Sequence, residues 1–506
     1  MAAVVKIDSN ATGLAYAEEA TIGVLPGSPV WNALEPNSYA DFGGELALVA
    51  RNPINADRQL KKGVTTDLDA SGGFQTDLTQ ANLQGLLQGF FWASLRKKVE
   101  LAVAVVDTTI DDYQPAAGGD GYYANDLLFA KGFTDAANNG LKVVTGVPAA
   151  MSVPVTTNLV TAAAQAGTIS RVGHQFATTD AAIDASGTYP KLTAAAKNLT
   201  QLGLLVGEWI FIGGDLTAEQ FATAADNCWA RVRSIAAGAI EFDKTSATMV
   251  TDVGTGKTIR IFFGRVLHNE PAATIVRRTY QIERQLGAPD DASPAQIQSE
   301  YLVGAVPNEF TMNVATADKI TCDLSFVGTN VEQRSGVTGV KAGTRVAVTE
   351  ADAFNTSSDF ARIKLSAHVD GTENPTALFA FLQELKLTIA NGVKPNKAVG
   401  TLGAIEVSSG NFHVNGTMTA YFADVAAIQT VMQNADCTLD IAVAKANAGI
   451  VIDLPLIALG DGRPAVAADE PVTIPISFEA STGAKFGKNY TMWIEFYDYL
   501  PTRAEQ

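Results

Sequence analysis

Ser71-Gly72-Gly73-Phe74-Gln75-Thr76-Asp77-Leu78-Thr79 places a glycine turn ahead of an alternating run. Ser409-Gly410-Asn411-Phe412-His413-Val414-Asn415-Gly416-Thr417-Met418-Thr419 repeats that design far along the same chain. Alternation at period two is the mark of a strand with one buried face, so each stretch reads as a turn feeding a strand. Helical spacing follows both. The first helix carries Leu83, Leu86, Leu87 and Phe90 on one face with Thr79 available as a cap, and the second carries Val425, Ile428 and Met432 after Asp424.

Working outward, an apolar strand and then a polar loop precede each turn. The strands are Glu45-Leu46-Ala47-Leu48-Val49-Ala50 and Glu384-Leu385-Lys386-Leu387-Thr388-Ile389-Ala390, offset by 339 residues, while Phe74 and Phe412 are offset by 338. A near-constant spacing points to an internal repeat. A third element, Ile320-Thr321-Cys322-Asp323-Leu324-Ser325-Phe326, is echoed by Val472-Thr473-Ile474-Pro475-Ile476-Ser477-Phe478, where Pro475 lacks an amide hydrogen and marks an edge or a bulge. Phe74 to Phe326 spans 252 residues against 66 from Phe412 to Phe478, so the first copy holds 186 more. An insertion accounts for them.

The insertion has a shorter repeat of its own. Asp126-Leu127-Leu128-Phe129-Ala130, Gly132-Phe133, Ala136-Ala137-Asn138-Asn139 and Lys142-Val143 match Glu208-Trp209-Ile210-Phe211-Ile212, Gly213-Gly214, Ala224-Ala225-Asp226-Asn227 and Arg231-Val232. Each set reads as a strand, an asparagine-containing loop and a second strand, which predicts a small all-β insertion.

Across 506 residues there are 36 Lys+Arg and 53 Asp+Glu, a formal charge of −17. Residues 111–260 hold 10 basic and 14 acidic residues, which leaves −13 on the rest. That length suits about three domains, and such acidity opposes tight binding to phosphate backbones. Neither a signal-peptide-like apolar stretch in Met1–Ala20 nor an apolar run of membrane-spanning length is present, so secretion by that route and membrane insertion are not expected. Cys228, Cys322 and Cys437 lie too far apart in sequence for a zinc motif or a disulfide framework, and read as small core residues in a reducing cytoplasm.

Chemistry-bearing patterns are sparse. His174, His268, His368 and His413 are dispersed. Gly254-Thr255-Gly256-Lys257-Thr258 lacks the first glycine of a phosphate loop, which would fall at Thr251, and precedes a strand, so it reads as a hairpin turn. The pairs Asp111-Asp112 and Asp290-Asp291 read as solvated loops. No catalytic, cofactor or metal site is expected, and the protein is not expected to be an enzyme. Two loops stand out as basic in an acidic chain: Asn52-Pro53 through Arg58, Lys61, Lys62 and Gly63, and Lys394-Pro395-Asn396-Lys397. Each is either an exposed hairpin tip or an arm that meets an acidic surface on a neighbouring subunit. Asn52, Pro53, Arg58, Lys61, Lys62, Lys394, Asn396 and Lys397 are the candidate inter-subunit residues.

With Tyr16-Ala17-Glu18-Glu19-Ala20-Thr21-Ile22-Gly23, Leu34-Glu35-Pro36-Asn37, Arg51-Asn52-Pro53, Asp67-Leu68-Asp69-Ala70-Ser71-Gly72-Gly73-Phe74 and Leu86-Leu87-Gln88-Gly89-Phe90, the chain resembles the major tail tube proteins of siphophages. The resemblance covers the first 110 residues well and two later regions by pattern. It implies a mainly β fold with two tail-tube-type β-sandwich modules, each with a flanking helix, and a small all-β insertion domain. The resulting boundaries are 1–110 and 266–345 for the two parts of the first module, 111–265 for the insertion and 346–506 for the second module.

The resemblance further implies a structural protein that assembles with itself into stacked rings around a conduit for the genome. Trimeric rings imitating six-fold symmetry are favoured, with hexamers of the longer chain as the alternative. Expected partners are a tape measure protein in the lumen, tail terminator and tail tip proteins, and double-stranded DNA in transient, non-specific passage. The expected location is the virion tail, with assembly in the host cytoplasm. A β-rich virion protein that binds a host surface or carbohydrate through its insertion, using Trp209 and Trp229, is the competing reading. Six modules of four strands give roughly 24 strands at about 4.8 Å, hence a bore of about 37 Å before strand tilt. An acidic lumen would let DNA slide without holding it.

Overall fold

The glycines of Ser71–Gly73 do not turn the chain; they lie inside a strand, and the reason is close approach. A Cβ on Gly72 would sit 2.8 Å from the Phe42 ring, and one on Gly73 2.8 Å from the Leu324 carbonyl oxygen. The structure is a computed structural model, and the residues described are 7, 12–39, 42–54, 56, 58–160, 164–287 and 297–505. Asn55 and Asp57 of the first basic loop and the pair Asp290-Asp291 lie outside them.

In chain order the elements used below begin with β1 (Gly13–Glu18), β2 (Val30–Leu34), β3 (Pro36–Ser38), β4 (Gly43–Arg51), β5 (Lys61–Asp77) and α1 (Gln84–Phe91). After the long intervening segment come β6 (Tyr280–Gly287), β7 (Gln298–Ala315), β8 (Thr321–Val327) and β9 (Asn330–Ser335). Then follow β10 (Phe360–Ala367), β11 (Leu382–Ala390), β12 (Lys394–Lys397), β13 (Ala404–Ser408), β14 (His413–Tyr421) and α2 (Val425–Met432). The last are β15 (Cys437–Lys445), β16 (Ala448–Asp461), β17 (Thr473–Ala480) and β18 (Trp493–Tyr497). The protein is mainly β. It packs as two compact units: Met1–Ser94, Asn269–Ala353 and Gln383–Thr419 form the first; Leu95–His268, Phe354–Leu382 and Ala420–Gln506 form the second.

In the first unit the long strand β7 organises the sheet. Its first half pairs with β6 and β9, and its second half with β8 and β11. The change of partners falls between Ala305 and Val306, just before a register break between Pro307 and Glu309, where the proline offers no ladder donor. β1 runs against β6 and β2, while β5 pairs with β8 from Ser71 to Asp77 and with β3 at Pro36 and Ser38. α1 covers this sheet. Leu83, Leu86, Leu87 and Phe90 are all buried as the spacing requires, and the Phe90 ring meets Phe310 and Phe326. Thr79 does not cap the helix, which begins after Leu83 without a side-chain cap. It closes the preceding turn instead: its hydroxyl accepts from Asn82 N at 3.3 Å and its amide donates to Asn82 Oδ1 at 3.2 Å.

In the second unit β10, β15, β16 and β18 form consecutive antiparallel ladders, and β17 joins the far end of β16. A second sheet comprises twelve short strands between Glu100 and Phe262, so it starts before residue 111. Its repeat is visible in side-chain chemistry. Asn139 accepts from Phe133 N and donates to Phe133 O, and Asn227 makes the same pair of bonds with Phe221.

The second sheet is fastened to β15, β16 and β18. Leu127, Val172, Trp209, Phe211, Trp229 and Phe262 share an apolar cluster with Ala442, Ala444, Val451, Tyr497 and Leu500. Trp209 and Trp229 are therefore core residues, with no face open to a sugar. Beside them runs a buried ionic network: Arg231 reaches Asp243 at 2.8 Å and Asp453 at 3.0 Å, Lys244 and Arg362 both hold Asp440, and Lys488 holds Asp243.

Candidate assembly surfaces

Beyond Ser71, β5 leaves the sheet and pairs with β4 alone, from Gly43↔Ser71 to Arg51↔Lys61. Nine residues at about 3.4 Å each make a ribbon roughly 30 Å long. β4 is exposed on both faces from Gly44 to Arg51, and Leu46, Leu48, Val49 and, across the ribbon, Val64 all stand in solvent. A two-stranded ribbon with apolar residues on the outside is marginal by itself in water, so it is suited to completion by another surface.

The ribbon tip brings together five of the eight candidate residues. Asn52, Pro53, Arg58, Lys61 and Lys62 are exposed there, with Arg58 in a left-handed turn conformation at φ 56°. The other three lie on the β12–β13 hairpin, whose register pairs Lys394 with Ser408 and Lys397 with Ala404. Lys397 is engaged within the first unit, where it bonds both Asp67 and Asp69 of β5. That pairing raises the Lys397 ammonium above its ordinary value and lowers Asp67. Asn396 donates to Ser408 Oγ at 2.5 Å. Lys394 remains on the outside of the hairpin.

Sequence reasoning missed a second surface, at the end of β16. The β16–β17 ladder runs from Ile457↔Ala480 to Asp461↔Ile476, then breaks at Asp461 (φ 59°) and Gly462 (φ 77°). It resumes at Ala465, which donates to Thr473 O at 2.7 Å and accepts from Thr473 N at 3.2 Å. With both polar groups of Ala465 turned toward β17, strand alternation turns those of Pro464 and Val466 away from it. Val466 is exposed. In the same unit α2 buries Ala427 but leaves Val425 and Met432 in solvent, contrary to the expectation that they face the core.

Burial pushes the His174 imidazole below its ordinary value while its Nδ1 lies 2.9 Å from Asp126, and His268 stacks on Trp493. Among the described residues no group of three or more His, Cys, Asp or Glu could hold a metal ion. All three cysteines are buried. Lys257 N donates to Gly254 O at 3.1 Å, closing the expected turn, and Arg260–Phe262 follows as a strand. No helix among the described residues is long and apolar enough to cross a membrane.

A family model described as phage tail tube protein matches residues 9–480. A search of curated proteins finds no match.

Proposed function

Since the chain belongs to the phage tail tube protein family, a structural family of the virion tail, we propose that it forms the tube wall from two modules per chain, in stacked rings around an open bore. The observation that carries this reading is the order of elements. β3, the β4–β5 ribbon, the lower half of β5, α1, β6, β7, β8 and β9 correspond in turn to β11, the β12–β13 hairpin, β14, α2, β15, β16, β17 and β18. Both helices have eight residues and close on a left-handed residue, Trp92 (φ 51°) directly after α1 and Asn434 (φ 49°) two positions after α2.

This correspondence displaces one sequence alignment. Glu384 lies beside β14, where Thr419 Oγ1 donates to it at 2.8 Å, whereas Glu45 is opposite Asp69 in the ribbon. The strand in the place of β11 is therefore β3, and the similar Leu-rich run of β4 has been drawn out into the arm.

Two modules per chain make a ring of three chains the economical route to six-fold pseudo-symmetry. The segment between α1 and β6 is an insertion in the first module, and its place is outside the bore. The exposed ribbon with Asn52, Pro53, Arg58, Lys61 and Lys62 reaches a neighbouring subunit or ring, and Lys394 supplements it. A tape measure protein fills the lumen before DNA passes, and terminator and tip proteins close the ends; assembly takes place in the host cytoplasm. Electron microscopy of the purified, concentrated protein tests the reading: hollow filaments or discs are expected, and compact particles without a bore would contradict it.

A further inference from the structure

Within the first unit, the far half of β7 is sandwiched. β8 lies on one side, and β11 occupies the other, from Glu309↔Ala390 to Ala315↔Glu384. The same incoming segment covers the helix: Asn391 Nδ2 donates to the Phe90 carbonyl at 3.0 Å, and the rings of Phe91 and Phe412 lie 5.5 Å apart. One strand and its following loop thus close a sheet margin and cap a helix.

The counterpart place in the second unit is open, and a constant offset of 152 locates it. Asn313↔Thr321 becomes Ala465↔Thr473, and the left-handed turn residue Ala317 (φ 58°) becomes Asp469 (φ 62°). By that offset Val314, 9% exposed under β11, corresponds to Val466, 78% exposed. Counting back from the left-handed residue that ends each helix, Trp92 or Asn434, Phe90 at 0% corresponds to Met432 at 80%. The same two positions are covered in one unit and bare in the other.

We propose that residues 463–467 and the Met432 face of α2 form a socket for a second copy of this chain, whose β3 strand enters as β11 does internally. β3 is the fitting occupant because it holds, beside β5, the place that β11 holds beside β14. Strand addition supplies main-chain hydrogen bonds from Val466 N–H and C=O and from the Pro464 carbonyl. Pro464 offers no N–H, which weakens the margin toward indiscriminate pairing. The contact is heterologous, socket on one copy and strand on the next, so its repetition generates a ring when the rotation from copy to copy closes.

The proposal rests on the two-module reading, and its test separates the two. Val466→Cys, labelled with a benzophenone maleimide, is assembled as a mixture of isotopically light and heavy chains, irradiated and mapped by mass spectrometry. Intermolecular adducts on residues 31–38 are expected. Tubes whose adducts fall on the β4 ribbon, on another tail protein or only within one chain would overturn the socket while leaving the tube reading intact. Failure of the unmodified protein to form any hollow assembly would overturn both. Met432→Asp provides a second readout, because an exposed residue leaves the fold intact: at least a tenfold loss of assembled material with unchanged circular dichroism is expected, and unimpaired assembly would count against the socket.

Discussion

Asp453 is fully buried and accepts two hydrogen bonds from Arg231, each 3.0 Å long. Removing one partner of such a pair leaves an uncompensated charge in the interior, which costs about 3–5 kcal/mol. Asp453→Ala is therefore expected to lower the denaturation midpoint of the second unit sharply, as read by urea unfolding, whereas exposed Glu479→Ala should shift stability by less than about 0.5 kcal/mol. Glu495 reports on pH. Its carboxyl is raised from 4.5 to about 8 by burial and by the neighbouring Glu208, which pairs with Lys98 at 2.9 Å. The folded state keeps this proton where the unfolded state has lost it. The stabilisation is complete below about pH 4.5 and is lost as pH rises toward about 8. Unfolding at a series of pH values should show stability falling through that window, with Glu495→Gln flattening the slope; an unchanged slope would sink the assignment.

At the level of elements, the two helices differ in a way that composition hides. The apolar stripe of α1 was legible because Leu83, Leu86, Leu87 and Phe90 all find partners within their own unit. Leu87→Ala should destabilise by about 2–5 kcal/mol in thermal or urea melts. The stripe of α2 was legible too, but as a face with no cover in the isolated chain, so periodicity alone gave the wrong environment for Val425 and Met432. A similar limit hid the fate of β4. Its alternation matches β11, yet Leu385 and Leu387 are buried by β7 and Leu46 and Leu48 are not, because local pattern does not fix which strand lies alongside. Leu48→Lys on the ribbon is expected to leave unfolding within about 0.5 kcal/mol of the parent while slowing assembly measured by light scattering. The glycines at 72 and 73 were read as a turn because permissive backbone and close approach carry the same signature in sequence.

For the whole molecule, the segment between α1 and β6 is tied to β15, β16 and β18 by Trp209, Trp229 and the Arg231–Asp453 pair, side chains far apart in sequence, and nothing short of the fold could reveal it. Deleting residues 111–260 would strip Asp440 and Asp453 of Lys244 and Arg231, so the truncated chain should fail to give a cooperative melt and should not build tubes. The charge outside those residues, −13 of the total −17, is consistent with a wall that repels nucleic acid. The claim on which the rest depends is that modules complete one another from chain to chain around a bore. Its most direct measurement is averaging of end-on views of the assembled protein by electron cryo-microscopy. The expected image is an open ring of six like modules from three chains, with a strand laid against residues 463–467 at every junction between chains. A ring with those residues bare, or a particle with no lumen, would contradict it.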